Sequence, residues 1–122
     1  MRSVLTPIPA GSEEIAIWHD LPPGPDTGEP IDLVCNLWRL SPTECAVTKA
    51  KGEMTDAANI EIGIRAYQQG YQRLHFTVAH GHKPSHWAQF VKTENGMDHY
   101  LVELGPAIQR YRQIARELGI EV

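Results

Sequence analysis

Three histidines that fall close together are the residues of this chain best suited to chemistry. His80, His82 and His86 lie within seven residues, directly after an apolar run typical of a strand. Residues i and i+2 of a strand point the same way, so His80 and His82 would be able to share a metal, with His86 as a third ligand. Imidazole nitrogen suits zinc, and an open fourth position would hold a reactive water. Second partners for such a site would come from Glu94, Asp98 or His99.

The same segment also has a simpler interpretation as a solvated loop. Gly81 and Pro84 interrupt it, and histidines in such loops usually face water without binding a ligand. Other common signatures are missing from the sequence, which has no Gly-x-Ser-x-Gly elbow, no Gly-x-Gly-x-x-Gly fingerprint and no phosphate loop of the Gly-x-x-x-x-Gly-Lys-Ser/Thr kind. The histidines therefore remain the main candidate for a site, and the elements around them decide whether they converge.

The composition predicts a single globular domain over residues 1–122. Of these residues 42% are hydrophobic and 21% are charged, and the formal net charge is −4. Acidic and basic residues are interleaved, so we expect no nucleic-acid partner. No apolar run approaches the roughly 18 residues of a membrane span and no signal peptide is evident, so we expect a cytoplasmic protein without membrane contact. Cys35 and Cys45 are expected to be small buried residues rather than a disulfide.

The first half of the chain predicts strands. Residues 5–8 favour an edge strand at most, and residues 14–18 favour a second strand. Residues 21–30 contain four prolines and two glycines, which predicts an exposed loop. Residues 31–40 carry apolar groups on both faces, which indicates a central strand, and residues 44–51 return after a turn to complete a hairpin.

Two helices are predicted in the second half. Thr55 or Asp56 caps the first, which Gly70 ends, and Pro106 opens the second at its first position. Arginines of the second helix are expected on its solvated side. The buried stripes are predicted to be Ala57, Ile60, Ile64, Tyr67 and Tyr71 in the first helix, and Ile108, Tyr111, Ile114, Ala115 and Leu118 in the second.

Further strands are predicted at residues 73–79 and 99–104. Residues 84–92 favour a short helix, because Pro84 and Ser85 form a good helix start. The alternative is a strand that enters a hairpin at Asn95-Gly96. With either alternative the fold class is α+β, a mostly antiparallel sheet with two main helices packed against it.

The order of these elements over residues 31–104 resembles the middle and end of a GNAT (Gcn5-related N-acetyltransferase) domain. The resemblance implies that the diphosphate of acetyl-CoA would lie on backbone amides where the first helix begins, so Gly52 and Thr55 would be its binding residues. This segment offers one glycine, whereas the family has a loop with two spaced glycines after a Gln or Arg. Glu53 and Asp56 would moreover repel a diphosphate.

The region after the strand at 73–79 adds to the resemblance. Ser85-His86 with Phe90 and Lys92 is similar to small, degenerate GNAT-like proteins encoded by tailed phages, some of which are virion components. No tyrosine stands where the family often places its general acid. The resemblance thus implies a GNAT build whose cofactor chemistry is reduced.

The leading hypothesis is a non-catalytic or residually active GNAT-like domain that acts through protein contacts, as a phage or prophage accessory or assembly protein. Its partner would be another protein or a second copy, and it would be cytoplasmic or virion-associated. One alternative is an acyl-CoA-dependent N-acyltransferase with its site between residues 52–56 and 80–85. The other is a metal-binding protein that uses the three histidines.

Overall fold

The computed structural model describes residues 2–18, 31–52, 55–81 and 88–117. The predicted loop at 21–30 lies outside these residues. Within them the chain forms a sheet and two helices. The strands are β1 (Arg2–Ile8), β2 (Ser12–Trp18), β3 (Leu33–Ser41), β4 (Glu44–Gly52), β5 (Arg73–Ala79), β6 (Gln89–Glu94) and β7 (Met97–Glu103), and the helices are α1 (Asp56–Gln68) and α2 (Leu104–Glu117).

The described strands belong to one sheet, in the order β1-β2-β3-β4-β5-β7-β6. Neighbouring strands are antiparallel everywhere except between β4 and β5. Those two are parallel because α1 carries the chain back between them. The prediction of an α+β fold with a mostly antiparallel sheet and two main helices is therefore confirmed. The first strand is an edge and β3 is central, as predicted.

Both helices pack on the same face of the sheet. Alternate strand residues point to this face and join the helices in one apolar core. On the opposite face Trp38 is 44% exposed and Leu40 is 54% exposed, and no described helix covers them. The core residues contributed by the strands are Ile15, Ile17, Leu33, Cys35, Leu37, Cys45, Leu74 and Val102.

α1 is buried over a wider arc than a single stripe predicts. Thr55 is its N-cap, and the Thr55 hydroxyl accepts a hydrogen bond from Ala58 N at 3.1 Å. Ile60 and Ile64 are buried as predicted, but Tyr67 is 38% exposed, so its place in the stripe was wrong. Because α1 contacts both the core and α2, residues on either side of the predicted stripe are covered too, namely Ala58, Ile62 and Ala66.

β6 corrects the prediction of a short helix over residues 84–92, which is wrong for the part that the structure describes. Asn95 and Gly96 both have positive φ, 54° and 75°, as a type I′ turn requires. This turn joins β6 to β7 in a hairpin, where Phe90 packs edge-on against Tyr100 with ring centroids 5.7 Å apart. The hairpin turn and this cross-strand contact outweigh the local helix-start signal.

α2 begins at Leu104, two residues before the predicted start at Pro106. The proline lies in the first turn, where a missing N–H costs no helical hydrogen bond. Leu104 and Ile108 are buried in the core. No helix among the described residues is long and apolar enough to cross a membrane. The arginines that were predicted to face solvent do so: Arg110, Arg112 and Arg116.

A polar cluster fastens the edge strand β1 to α1. Ser3 Oγ donates to Glu61 Oε1 at 2.5 Å, and both residues are buried. Arg65 donates from Nε to Ser3 Oγ at 2.9 Å and from a terminal nitrogen to Ser3 O at 3.1 Å. Since each buried polar atom has a partner, the cluster fixes the edge strand without leaving an unsatisfied group.

Candidate functional site

The parallel strands β4 and β5 pair only over their first residues. Glu44 pairs with Arg73, Cys45 with Leu74 and Ala46 with His75, and the register ends there. Residues 47–52 and 76–79 therefore do not pair with each other. We call the space between them the β4–β5 opening.

The closed end of this opening is held by backbone and side-chain bonds. Gln72 N and Arg73 N both donate to Thr43 O, at 2.6 and 3.1 Å. His75 Nε2 and Glu44 Oε1 are 3.1 Å apart across the same strand pair. These contacts fix where the two strands meet, so the strands can diverge only at their C-terminal ends.

At the open end, β4 carries a β-bulge. Val34 pairs with Lys51 and Asn36 with Thr48, so β4 has one residue more than β3 across this interval. Lys49, within the bulge, has a positive φ of 52°. A bulge bends its strand and increases the local twist, which here alters the course of β4 beside the opening.

The N-terminus of α1 lies at the same edge of the sheet. β4 ends at Gly52 and Thr55 follows three residues later, so the helix start is at most about 10 Å away along the chain. Of the N–H groups that the first turn leaves free, that of Ala58 is already bonded to the Thr55 hydroxyl. The helix start thus supplies part of its own cap.

Gly52, predicted as a diphosphate-binding glycine, has a different structural reason to be glycine. Its φ is +118°, and it pairs with Leu33 at the start of β3. A Cβ on Gly52 would stand 2.1 Å from the Asp32 carbonyl oxygen and 2.8 Å from the Leu33 Cα. Close approach of two backbones within the chain therefore accounts for this glycine. Glu53 and the side chain of Asp56, predicted to repel a diphosphate, lie outside what the structure describes.

His80 follows β5 at the same edge and is held by a buried carboxylate. Its Nδ1 is 2.8 Å from Asp98 Oδ1, while its side chain is 69% exposed. Asp98 also accepts from Thr93 Oγ1 at 2.6 Å and from Gly81 N at 3.2 Å. With Nδ1–H donating to Asp98, the Nε2 atom carries the free lone pair.

The pKa of Asp98 is lowered to about 2, although burial acts in the opposite direction. The Thr93 hydroxyl is the largest cause, followed by the His80 imidazole, because both hydrogen-bond the charged form. Asp98 is therefore a carboxylate at neutral pH and fixes the orientation of the imidazole. Sequence had named Asp98 as a partner for these histidines, but Thr93 was missed, since it reaches Asp98 only through the β6–β7 pairing.

The predicted metal site is tested only at His80. His82 and His86 lie outside the described residues, so their convergence on a zinc ion stays a prediction. Within the described ranges, no group of three histidine, cysteine, aspartate or glutamate side chains has the arrangement to hold a metal ion.

Aromatic rings continue from this histidine along the core face. Phe76 stacks on Tyr100, with ring centroids 5.6 Å apart and planes at 14°. Phe90 meets Tyr100 from the other side and is 58% exposed. The three residues are direct neighbours across β5, β7 and β6, so the row follows from strand register.

The two cysteines have the passive role that was predicted. Both are buried and free. Burial is the main cause that raises the pKa of each thiol to about 12, with a smaller contribution from a nearby glutamate. Neither is a thiolate at neutral pH, so neither is a nucleophile.

No protein-family model matches the chain, and no curated protein matches it. Among solved structures, the chain is similar to the apo form of FdhC, a nucleotide-linked sugar GNAT, with a TM-score of 0.60 and 16% sequence identity. The fold is GNAT-like. The match covers 88% of this chain but 65% of FdhC, so the chain spans less than two thirds of that protein. At this identity the similarity of the GNAT-like domain to FdhC concerns the fold alone.

Replacing Gly52 tests its packing role in the GNAT-like sheet. Gly52→Ala should lower the free energy of unfolding by about 3 kcal/mol, because positive φ costs roughly 1–3 kcal/mol and the new Cβ also meets backbone. Gly70→Ala is the matched control, since Gly70 has φ +99° with no atom within 4 Å of the added Cβ. Urea unfolding would measure both. Equal losses would contradict the close approach to β3.

The second prediction concerns acid stability. The folded pKa of Asp98, about 2, lies below the ordinary value of 3.8, so the carboxylate stabilises the fold above pH 4 and loses this effect as pH falls toward 2. Asp98→Asn should flatten the fall of the urea midpoint between pH 4 and 2, and Thr93→Val should flatten it partly. If the urea midpoint of Asp98→Asn fell between pH 4 and 2 as steeply as that of the wild type, the carboxylate would not be held in this way.

Proposed function

We propose that the β4–β5 opening binds the thioester arm of an acyl donor and that the protein is an N-acyltransferase. The single observation that carries the proposal is that the parallel strands β4 and β5 pair through Ala46 and His75 and no further. An interrupted parallel pair in the interior of a sheet leaves backbone N–H and C=O groups without strand partners, and such groups require other partners.

A pantetheine arm has the chemistry to be that partner. It is an extended chain with two amide groups, so it can hydrogen-bond to strand edges much as an added strand does. Val47 and Phe76, the first residues beyond the paired region, are partly buried against the core. They offer apolar surface to the methylene groups of the arm.

His80 supplies the proton acceptor in this proposal. Asp98 holds Nδ1, and the largely exposed side chain leaves Nε2 available to an amine at the open edge. The amine nitrogen would lose its proton to Nε2 as it bonds to the thioester carbonyl carbon, and the thiolate would leave and take a proton from solvent. The GNAT-like fold shared with a nucleotide-linked sugar GNAT supports acyl transfer as the reaction class.

Thermal unfolding with acetylated thioesters tests the proposal. At a ligand concentration of a hundred times the dissociation constant, binding should add about 2.7 kcal/mol to the free energy of unfolding. Amide resonances of residues 47–51 and 76–79 should shift in the same titration. His80→Ala is the control, since it should bind the thioester as the wild type does but lose acyl transfer. No stabilisation by any acetyl thioester would contradict the proposal.

A second candidate function is favoured by the exposed apolar face. Trp38 and Leu40 lie on the sheet face that no described helix covers, and a protein that acts by contacts would use such a surface. In this alternative the domain is an accessory or assembly protein of the phage kind, which binds another protein or a second copy. The packing of Gly52 against the backbone of Asp32 and Leu33 also favours this alternative, because it gives that glycine a role other than binding a cofactor.

Light scattering after size exclusion separates this candidate from the first. A self-associating protein should elute as a dimer or larger, and Trp38→Ser with Leu40→Ser should return it to a monomer without changing the free energy of unfolding by more than about 1 kcal/mol. A monomeric wild-type protein that binds a thioester would instead support the transferase.

A further inference from the structure

Resting on the proposed acyl transfer, we infer that the donor is a pantetheine thioester that lacks the nucleotide diphosphate of coenzyme A. The donor class is acyl-pantetheine, either free or attached to a carrier protein. Two parts of the site lead to this inference: β4 and β5 do not pair where the arm would lie, while Gly52 and the Thr55 cap, where a diphosphate would lie, already make contacts within the chain.

The glycine at the mouth of the opening is the first part of the argument. A diphosphate at a strand-to-helix junction is bound by backbone N–H groups of a loop in which glycines let the backbone approach. Gly52, the last residue of β4, is the one glycine in residues 49–56, and it lies against the Asp32 carbonyl and the Leu33 backbone. The positive φ of Gly52 and its lack of a side chain allow its backbone to pack against β3. The sequence then offers no second glycine there to form a phosphate-binding turn.

The start of α1 is the second part. The Thr55 hydroxyl accepts from Ala58 N at 3.1 Å, so one of the first-turn N–H groups that would bind a diphosphate is already bonded within the chain. The sequence adds carboxylates at Glu53 and Asp56. A diphosphate there would have to displace a cap and approach two negative charges.

The β4–β5 opening contains neither the packed glycine contact nor the helix cap. It is lined by the strand edges of residues 47–52 and 76–79, and its closed end is fixed by the bonds to Thr43. An uncharged arm with amide groups meets hydrogen-bonding strand edges and the apolar side chains of Val47 and Phe76. The site therefore discriminates between the two halves of coenzyme A.

Isothermal titration with three probes tests the inference: S-acetylpantetheine, acetyl-CoA and adenosine 3′,5′-bisphosphate. S-acetylpantetheine should bind at least as tightly as acetyl-CoA, and adenosine 3′,5′-bisphosphate should not compete with it. A tenfold or greater preference for acetyl-CoA would overturn the inference while leaving the proposed transferase intact. Failure of both thioesters to bind would remove the transferase itself and the inference with it.

Removal of the negative charges from the sequence that joins β4 to α1 supplies an independent readout. The double variant Glu53→Gln/Asp56→Asn should tighten acetyl-CoA binding several-fold and leave S-acetylpantetheine binding unchanged. Glu94→Gln/Glu117→Gln removes the same charge from exposed positions elsewhere and should change neither affinity. Equal effects of the two double variants would contradict a local repulsion.

A carrier-bound donor distinguishes the two sources of the arm. Acetyl-phosphopantetheinyl carrier protein should give amide shifts in residues 47–51 and 76–79 if the arm is delivered by a protein. Binding of free S-acetylpantetheine alone would assign the donor to the free thioester. Both results support a donor without the nucleotide.

Discussion

The short parallel contact between β4 and β5 is the constraint on which the rest of the site depends. A parallel pair needs a crossover, and α1 provides it, so the helix must start where β4 ends. The strands meet at residues fixed by Thr43 and by the Glu44–His75 contact, and β4 bulges at Lys49 farther along. The parallel connection of β4 to β5 through α1 thus places the opening, the helix start and His80 at a single edge of the sheet.

The two ends of the proposed donor meet different chemistry at that edge. The strand edges provide backbone groups that have no partner on the neighbouring strand, which suit an uncharged chain of amides. The junction between β4 and α1 is occupied by Gly52 against β3 and by the Thr55 cap, and its sequence is acidic. Gly52 and Thr55, which the resemblance assigned to the cofactor, thus each make a contact within the chain beside the β4–β5 opening. In the proposed account, diphosphate binding is reduced while acyl transfer is kept.

Local patterns predicted much of this structure. The bounds of β5 and the hairpin of β3 and β4 follow from short-range spacing and were predicted correctly, and Thr55 was one of the two caps predicted for α1. The strand at β6 was not, because its decisive contact joins Phe90 to Tyr100 across a hairpin, whereas the helix start at Pro84-Ser85 is a local signal. The exposure of Tyr67 likewise depends on where α2 packs, which the spacing within α1 cannot indicate.

The candidate site was harder to predict because its parts are brought together by register. Sequence offered Asp98 as one of three possible partners for the histidines, but the contribution of Thr93 requires the β6–β7 alignment. The role of Gly52 depends on the Asp32 carbonyl, which is twenty residues away in the chain and comes into contact only through the β3–β4 ladder. Sequence therefore indicated Gly52 but not its contact with β3, and its role in ligand binding stays a prediction.

Amide hydrogen exchange of the protein without ligand tests the central claim most directly, since the account requires that β4 and β5 part beyond Ala46 and His75. Alternate amides of residues 76–79, those that point toward β4, should exchange rapidly, while the amides bonded to β7 in the same strand should be protected. Uniformly slow exchange along β5, matching the protection of the β5–β7 ladder, would mean that the sheet is closed and would contradict the account.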